Sequence, residues 1–467
     1  MCIRTPFLIA QMWGMVNAYT APRPKPPSDS PMKSARWVPA SVGILAALLT
    51  ACGGSGSDPS SHDLSLGGPQ PGGPIIPPQD KDAPDEATRP PLGGHIDGLT
   101  ISEQEAFERG RVVFDRRFTP GTGLGPLYNA VSCASCHSTP ISGGSAQLYR
   151  NFYIAAGGTP PSQFELPGLP SFIVPAYGAG VSFELERGRT VIPDSFGSIP
   201  VTVAQRNSIP LFGTGLFEFV SNVTIMGMSD PNDTDMDGIS GRYNQDSEGI
   251  GRFGNRLQTN NVELFTRGPL FNQMGITTDP FDGSGATVSL AYCSQVGSDP
   301  NDPTVDFDGV SDPEMSTDDL GDLLAYTRFL APVGKLEPFS ASAYRGQVFF
   351  EDIGCTACHV PSIPSSRGPV EAYTDLLLHE MGAALADGIS MGTPQPSTIE
   401  GNTTHTEWRT TPLWGVSLHG PFLHDGRAET LHEAIDLHAG EGLAARDAFV
   451  ALTARQQADL IEFLEHL

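Results

Sequence analysis

The sequence predicts a mainly α-helical protein built as two diverged copies of one plan, with long ordered loops, behind a disordered N-terminal tether. Two observations carry the repeat. "CASCH" at 133–137 returns as "CTACH" at 355–359, in a chain of 467 residues that holds only seven cysteines. The segments ahead of the motif match as well: "FERGRVVFDRRF" leads into the first and "AYRGQVFFEDIG" into the second, sharing Arg-Gly-x-Val-x-Phe. The third observation is composition. With 53 Gly, 42 Pro and 17% charged residues, the chain suits short helices joined by loops and argues against a strand-rich sandwich.

Taken in order, residues 1–52 are a leader. A second Met opens "MKSARWVPASVGILAALLTAC", in which Lys33 and Arg36 precede an apolar run over 37–49, the pattern of a secretory signal. That run is too short to span a bilayer comfortably, and "LTAC" followed by Gly53 and Gly54 resembles the bacterial lipoprotein cleavage box. Cys52 is therefore the expected lipidated N-terminus; the alternative is an ordinary cleaved signal with a chance cysteine. Residues 1–31 fit a mis-assigned upstream start and leave Cys2 without a role. From 53 to 98 the chain is rich in Gly, Pro, Ser and Asp without apolar periodicity, the composition of a flexible tether. This places the protein in the cell envelope, on the periplasmic side, held at the outer membrane by lipid alone.

The two copies then occupy 99–332 and 333–467. "PLFGTGL" at 210–216 is echoed by "PLWGVSL" at 412–418. Each copy closes on an amphipathic segment, "STDDLGDLLAYTRFL" and "TARQQADLIEFLEHL", in which Asp322-Leu323-Leu324 matches Asp459-Leu460-Ile461. The formal net charge of −26, with only 27 Lys and Arg, argues against nucleic acid and favours a basic protein partner.

Covalent haem attachment explains the repeated motif. Two thiols three positions apart can add to the two vinyl groups of one porphyrin, and the adjacent His turns its imidazole to the iron. Cys133, Cys136, Cys355 and Cys358 are the expected attachment points for two haem c groups, and His137 and His359 the proximal ligands. A zinc site would need four ligands in two close pairs, and a redox dithiol would need neither the His nor the repetition. Cys293 stays unpaired, as a small buried residue. No His stands between His137 and His359, whereas seven follow the second motif.

The chain resembles the di-haem oxidoreductases, also called thiol oxidoreductases, which are related to the bacterial di-haem c-type peroxidases. The resemblance covers 101–467 and is carried by "GLGPLYNAVSCASCH", "DGISGR", "GRFG", "QMGIT", "YTDLLLHEMGAALADG", "EWRTTPLWG" and "FLHDGRAETLHEAIDLHAGE". It implies two cytochrome c-like domains and electron transfer through two covalent haems, with hydrogen peroxide or another small oxidant as substrate. It also implies His438 as the sixth ligand of the C-terminal haem; Met381 is the runner-up, and His424 is expected to make structural hydrogen bonds. Laying "FGNRLQTNNVELFTRGP" on "FLHDGRAETLHEAIDLH" without gaps sets Pro269 opposite His438, so the N-terminal iron is expected to be open unless Met226, Met228 or Met274 closes it.

The resemblance breaks at the proton-handling residues. The acid that commonly precedes "MG" in these enzymes is Gln273 here, the distal Gln falls on Phe265, and the inter-haem Trp falls on Asn255. Gln273 can donate a hydrogen bond and cannot take a proton; Glu263 is the candidate replacement acid. "DTDMDGISGRYN" offers Asp233, Asp235 and Asp237 with Gly238 sixth, half of a calcium loop, but Asn244 stands where a bidentate Glu is needed, leaving Ca2+ and a solvated acidic loop as alternatives. "VDFDGVSD" from 305 is a weaker acidic stretch. The leading reading is an exported di-haem oxidoreductase exchanging electrons with a small redox protein or other donor. Its rivals are a pure electron-transfer lipoprotein with two six-coordinate haems and, behind it, a haem sensor or structural lipoprotein.

Overall fold

The structure, a computed structural model, describes residues 87–160, 162–164, 166, 173–178, 185–186, 189–190, 192, 194–245, 249–278, 309–390 and 404–467. The leader with Cys52, most of the tether, Cys293 and the start of the 305 stretch lie outside them.

Eight α-helices are described: α1 (Ile101–Asp115), α2 (Asn222–Met228), α3 (Val262–Met274), α4 (Thr317–Phe329), α5 (Ala341–Asp352), α6 (Leu431–Asp436), α7 (Leu443–Ala451) and α8 (Ala454–His466). Seven of them start where a Ser, Thr or Asn side chain accepts from a first-turn backbone N–H. Each such cap stabilises its helix by about 1 kcal/mol. In α1, α6 and α8 a Glu or Gln returns the bond to the cap residue, closing a capping box at Thr100, Thr430 and Thr453. No described helix is long and apolar enough to cross a membrane.

Two helix pairs form the frame, α1 against α4 and α5 against α8. The matched residues of the sequence meet within them. Arg109 of α1 grips Asp322 of α4 with two hydrogen bonds of 2.8 Å, and Arg345 of α5 grips Asp459 of α8 with two of the same length. The glycine that follows each Arg lets the helices touch. A Cβ on Gly110 would stand 1.9 Å from the Asp322 carbonyl oxygen, and one on Gly346 would stand 1.9 Å from that of Asp459. The "PLFG" and "PLWG" turns close the two frames alike, with the Gly213 N–H donating to Leu330 O and the Gly415 N–H to Leu467 O. Both glycines have φ near 65°, where a side chain is strained.

Strand structure exceeds what the mainly helical expectation allowed. Between the first motif and α2, β1 (Phe152–Gly157), β2 (Ile173–Val174), β3 (Ser195–Phe196) and β4 (Ile199–Arg206) form a four-stranded antiparallel sheet in the order β2-β1-β4-β3. β1 and β4 pair along their length, Phe152 with Arg206 through Gly157 with Val201. "FYIAAG" and "IPVTVAQR" carry the β-branched and aromatic residues that suit such a ladder. A second, two-stranded ladder joins β5 (Leu378–Glu380) to β6 (Glu407–Arg409).

One expectation needs correction. The tether was expected to run to 98, but residues 87–98 are bound: Arg89 donates to the carbonyls of Gly334 and Leu467 at 2.7 and 2.6 Å, and Ile96 is buried. One guanidinium thus ties the segment to two carbonyls far along the chain, which holds it down. The two halves share a core. The largest cluster runs from Phe107 in the first half through Phe217 to Ile363, Leu377 and Trp414 in the second, and the rings of Phe217 and Trp414 stack at 5.5 Å. A smaller cluster of Phe350, Phe449, Leu460 and Phe463 belongs to the second half.

Candidate haem sites

Each motif is a single 3-10 turn, Cys133–Ser135 and Cys355–Ala357, set after α1 and α5. In both, the His backbone N–H returns to the carbonyl of the first Cys, at 3.1 Å for His137 and 2.9 Å for His359. The turn thus puts both thiols and the imidazole on one short stretch of chain. The four thiols are free of disulfides. Burial pushes Cys133 and Cys355 up to about 12. They are therefore held as thiols, unlike the low-pKa thiolates of redox dithiols.

The histidines are oriented alike. His137 Nδ1 donates to Gly144 O at 3.1 Å, and His359 Nδ1 donates to Tyr373 O at 2.9 Å. In each ring Nε2 is then the nitrogen with a lone pair to offer a metal. Burial lowers His137, and burial with the neighbouring His438 takes His359 down to about 4, so both are neutral, as ligation requires. Phe114 and Phe350 stand against the two rings at 6.4 and 6.2 Å, each inclined by 54°.

His438 follows α6, its Nδ1 bound to Ala434 O at 2.7 Å and its ring neutral through burial. It lies near His359, on which its charge would act. Met381 shares that place: a Cβ on Gly442 would be 3.3 Å from both Met381 Cε and His438 Cδ2. The structure thus brings His359, His438 and Met381 to one locality.

Across the two halves, Asn261 and Thr430 are both N-caps, and the bridges Phe253–Thr259 and Phe422–Ala428 occupy matching places, in the register of the ungapped overlay. Pro269 falls where that register puts His438. It lies inside α3, which continues to Met274, whereas α6 stops at Asp436. Gln273, in the last turn of α3, steers the approach to the first motif. Its backbone carbonyl accepts from the N–H groups of Asn129 and Ala130, and its Oε1 accepts from Asn129 Nδ2 at 2.9 Å. The amide NH2 remains as its donor end. Glu263 is ion-paired with Arg267 one turn on, at 2.7 Å.

Asp233, Asp235 and Asp237 bring carboxylate oxygens within 4.8 Å of one another. Asn244 turns inward instead, donating to Arg256 O at 2.8 Å, and does not complete the loop. The loop does reach the C-terminal half through Ser240, which donates to Glu441.

Sequence reasoning assigned no role to the buried ionic layer behind these sites. His379 donates from Nε2 to Asp375 and from Nδ1 to Glu441, both at 2.8 Å, and its Nδ1 lies 3.7 Å from Cys358 Sγ. Burial alone would lower it, but the hydrogen bonds to Asp375, Cys358 and Glu441 hold it well above the imidazole range. Asp387 is clasped by Arg206 and Arg256, and Glu407 by Arg242. Trp408 lies beneath them, stacked on His424 at 3.6 Å with Arg256 4.3 Å above its ring. His424 therefore packs as an aromatic plate, with its Nε2 3.7 Å from Asp425 Oδ2. The only signal for this layer was its presence in "YTDLLLHEMG" and "EWRTTPLWG", which name the residues without revealing their burial.

The residues fit a haem at each motif: free thiols, a neutral His aimed through Nε2 and an aromatic wall, all made twice. Such a chain belongs to the class of two-haem redox proteins. A family model described as "Di-haem oxidoreductase, putative peroxidase" matches residues 195–467, more than half of the sequence, and the chain belongs to that family. Haem is accordingly its cofactor. Among solved structures it is similar to hydrazine synthase of Kuenenia stuttgartiensis (20% identity, 85% of this chain and 100% of that one, TM-score 0.34). It is also similar to a MauG-like protein associated with microbial copper homeostasis (17%, 83% and 94%, TM-score 0.34). A third is a variant of the diheme peroxidase BthA from Burkholderia thailandensis (16%, 82% and 93%, TM-score 0.37). No curated protein matches the sequence.

Proposed function

We propose that this di-haem oxidoreductase is an exported c-type protein, anchored by lipid on Cys52, that draws electrons from a small redox protein and delivers them to a hydroperoxide-class oxidant at the N-terminal site. The observation that carries the reading is the inequality of two otherwise matched copies: an imidazole, His438, accompanies His359, while in the first copy Pro269, inside α3, holds the place that the register gives His438. When bound, the two haems supply one-electron exchange at iron. Cys133 and Cys136 would hold the first by thioethers and Cys355 and Cys358 the second, with His137 and His359 as proximal ligands. His438, or failing it Met381, would close the C-terminal iron to substrate and leave it as the electron-entry site.

At the N-terminal site Gln273 supplies a hydrogen-bond donor where the resemblance leads one to expect an acid. Gln273 has its Oε1 committed to Asn129, so its NH2 can orient an incoming oxygen but cannot carry a proton. Glu263, paired with Arg267, is the nearest acid on the same helix. Slow peroxide turnover is therefore expected. The loop of Asp233, Asp235 and Asp237 is proposed as a calcium site that braces the two halves through Ser240.

The test is the ferric spectrum of holoprotein from cells able to mature c-type cytochromes. The expected result is two haems that survive denaturation, one low-spin and one high-spin, with the high-spin band shifting on cyanide. Two low-spin haems indifferent to cyanide would instead make the protein an electron wire.

A further inference from the structure

Arg409, at the end of β6, is 7% exposed, yet no carboxylate faces it among the described residues. Its backbone N–H donates to Asn255 O at 3.0 Å, but its one side-chain hydrogen bond is a long one, from Nη1 to the carbonyl of Arg252 at 3.3 Å, and its Nε has no partner among the described residues. The buried acids of the same layer are engaged elsewhere: Glu407 by Arg242, Asp387 by Arg206 and Arg256, and Asp375 by His379. Arg252 is equally buried but differs in kind, since it donates to the carbonyls of Phe217, Ile250 and Val220 and to Asn222. A guanidinium cannot shed its charge, and burying one unpaired is too costly for a fold to leave uncompensated. Among the described residues this cation has no counter-charge, which points to a bound anion as its partner.

The place of Arg409 says which anion. Thr410, next in the chain, is bound through its carbonyl by the Thr374 hydroxyl at 2.6 Å, and the Thr374 N–H donates to Val360 O at 3.1 Å. Val360 follows His359, and Tyr373, beside Thr374, holds the His359 ring. Arg409 is thus fixed to the same frame as the C-terminal proximal ligand. We propose that Arg409 binds a propionate carboxylate of the haem held at Cys355, Cys358 and His359. A guanidinium offers that carboxylate two donors in a planar fork, and the buried Nε is one of them. Arg409 is then a positioning residue that also sets the charge felt by that iron. The inference rests on the di-haem reading above.

Holoproteins of wild type, Arg409→Gln and Arg409→Lys test it through haem content, a spectroelectrochemical titration of each haem, and the infrared carboxylate bands of protein loaded with propionate-labelled haem. Loss of the cation disfavours the reduced iron. In Arg409→Gln the ferric-to-ferrous ratio of the C-terminal haem at fixed potential should rise about tenfold, equivalent to about 59 mV for a one-electron couple. The N-terminal haem should be unmoved. Arg409→Lys should give a smaller shift with a displaced carboxylate band, and it decides the matter if the Gln variant does not fold. Wild type without haem would overturn the di-haem reading and this inference with it. Wild type with two haems, and variants with unchanged C-terminal potential and carboxylate bands, would overturn this inference alone.

Discussion

In the N-terminal copy Arg109 holds Asp322, Gly110 lies against the Asp322 carbonyl, and His137 hangs from Gly144 beside Phe114. In the C-terminal copy Arg345 holds Asp459, Gly346 lies against the Asp459 carbonyl, and His359 hangs from Tyr373 beside Phe350. The copies part on the other side of the site. There α6 ends at Asp436 and delivers His438, while α3 runs on through Pro269 to Met274. The difference teaches which constraints are stiff. The parts that agree are backbone contacts, where a helix touches a carbonyl or a ring is hung from one, and these tolerate no added atom. The part that diverges depends on one side chain after a helix end, which can be exchanged without moving the frame.

The largest effect should come from the point of divergence. His438→Ala should convert the C-terminal haem from low-spin to high-spin while leaving the N-terminal haem unchanged in the electron paramagnetic resonance spectrum. A fully retained low-spin signal would transfer the ligand role to Met381, and the asymmetry would survive in another form.

Next are the shared contacts. Gly110→Ala and Gly346→Ala should each destabilise by about 3 kcal/mol in denaturant titrations, because the new methyl has only backbone to displace. Equal losses would mark the two frames as equivalent, and a loss in one alone would break the comparison.

The ion pairs should sharpen it further. Asp459 has a side-chain exposure of 6% against 17% for Asp322. Asp459→Asn should then cost about 2 kcal/mol and Asp322→Asn about 1, since exposure screens the pair.

The smallest effect is a pH dependence in the second frame. Hydrogen bonding to Arg345 holds the Asp459 carboxyl below the usual carboxylate range. A depressed folded pKa means that this stabilisation is present above the unfolded value of about 3.9 and is lost as pH falls through the folded value. Thermal melts from pH 6 down to pH 3 should show a shallower decline in Asp459→Asn than in wild type.

The repeat was legible because its key residues are of unusual type or sit at fixed offsets. Arg-Gly before each motif and Asp-Leu-Leu or Asp-Leu-Ile at each close mark contacts that permit few alternatives, and the structure joins them as pairs. The four-stranded sheet was hidden by its short strands and long connections, which blur the alternation of "FYIAAG" and "IPVTVAQR" among glycines and prolines. Arg409 could not be singled out, since "EWRTTPLWG" looks the same whether its Arg meets water or a buried anion. The order of the last tether residues escaped for a similar reason: Arg89 finds its acceptors 245 and 378 positions away.

The stacking of Phe217 on Trp414 bears on the order in which the molecule matures. A chain made from its N-terminus has its first motif long before Trp414, Leu377 and Ile363 exist to cover the apolar face around Phe217. Cys133 and Cys136 pack against that same cluster. Until the second half arrives, that side of the first motif has nothing to pack against. The surroundings of the first motif are therefore finished only by residues more than two hundred positions downstream, so the first half waits on the second to become rigid.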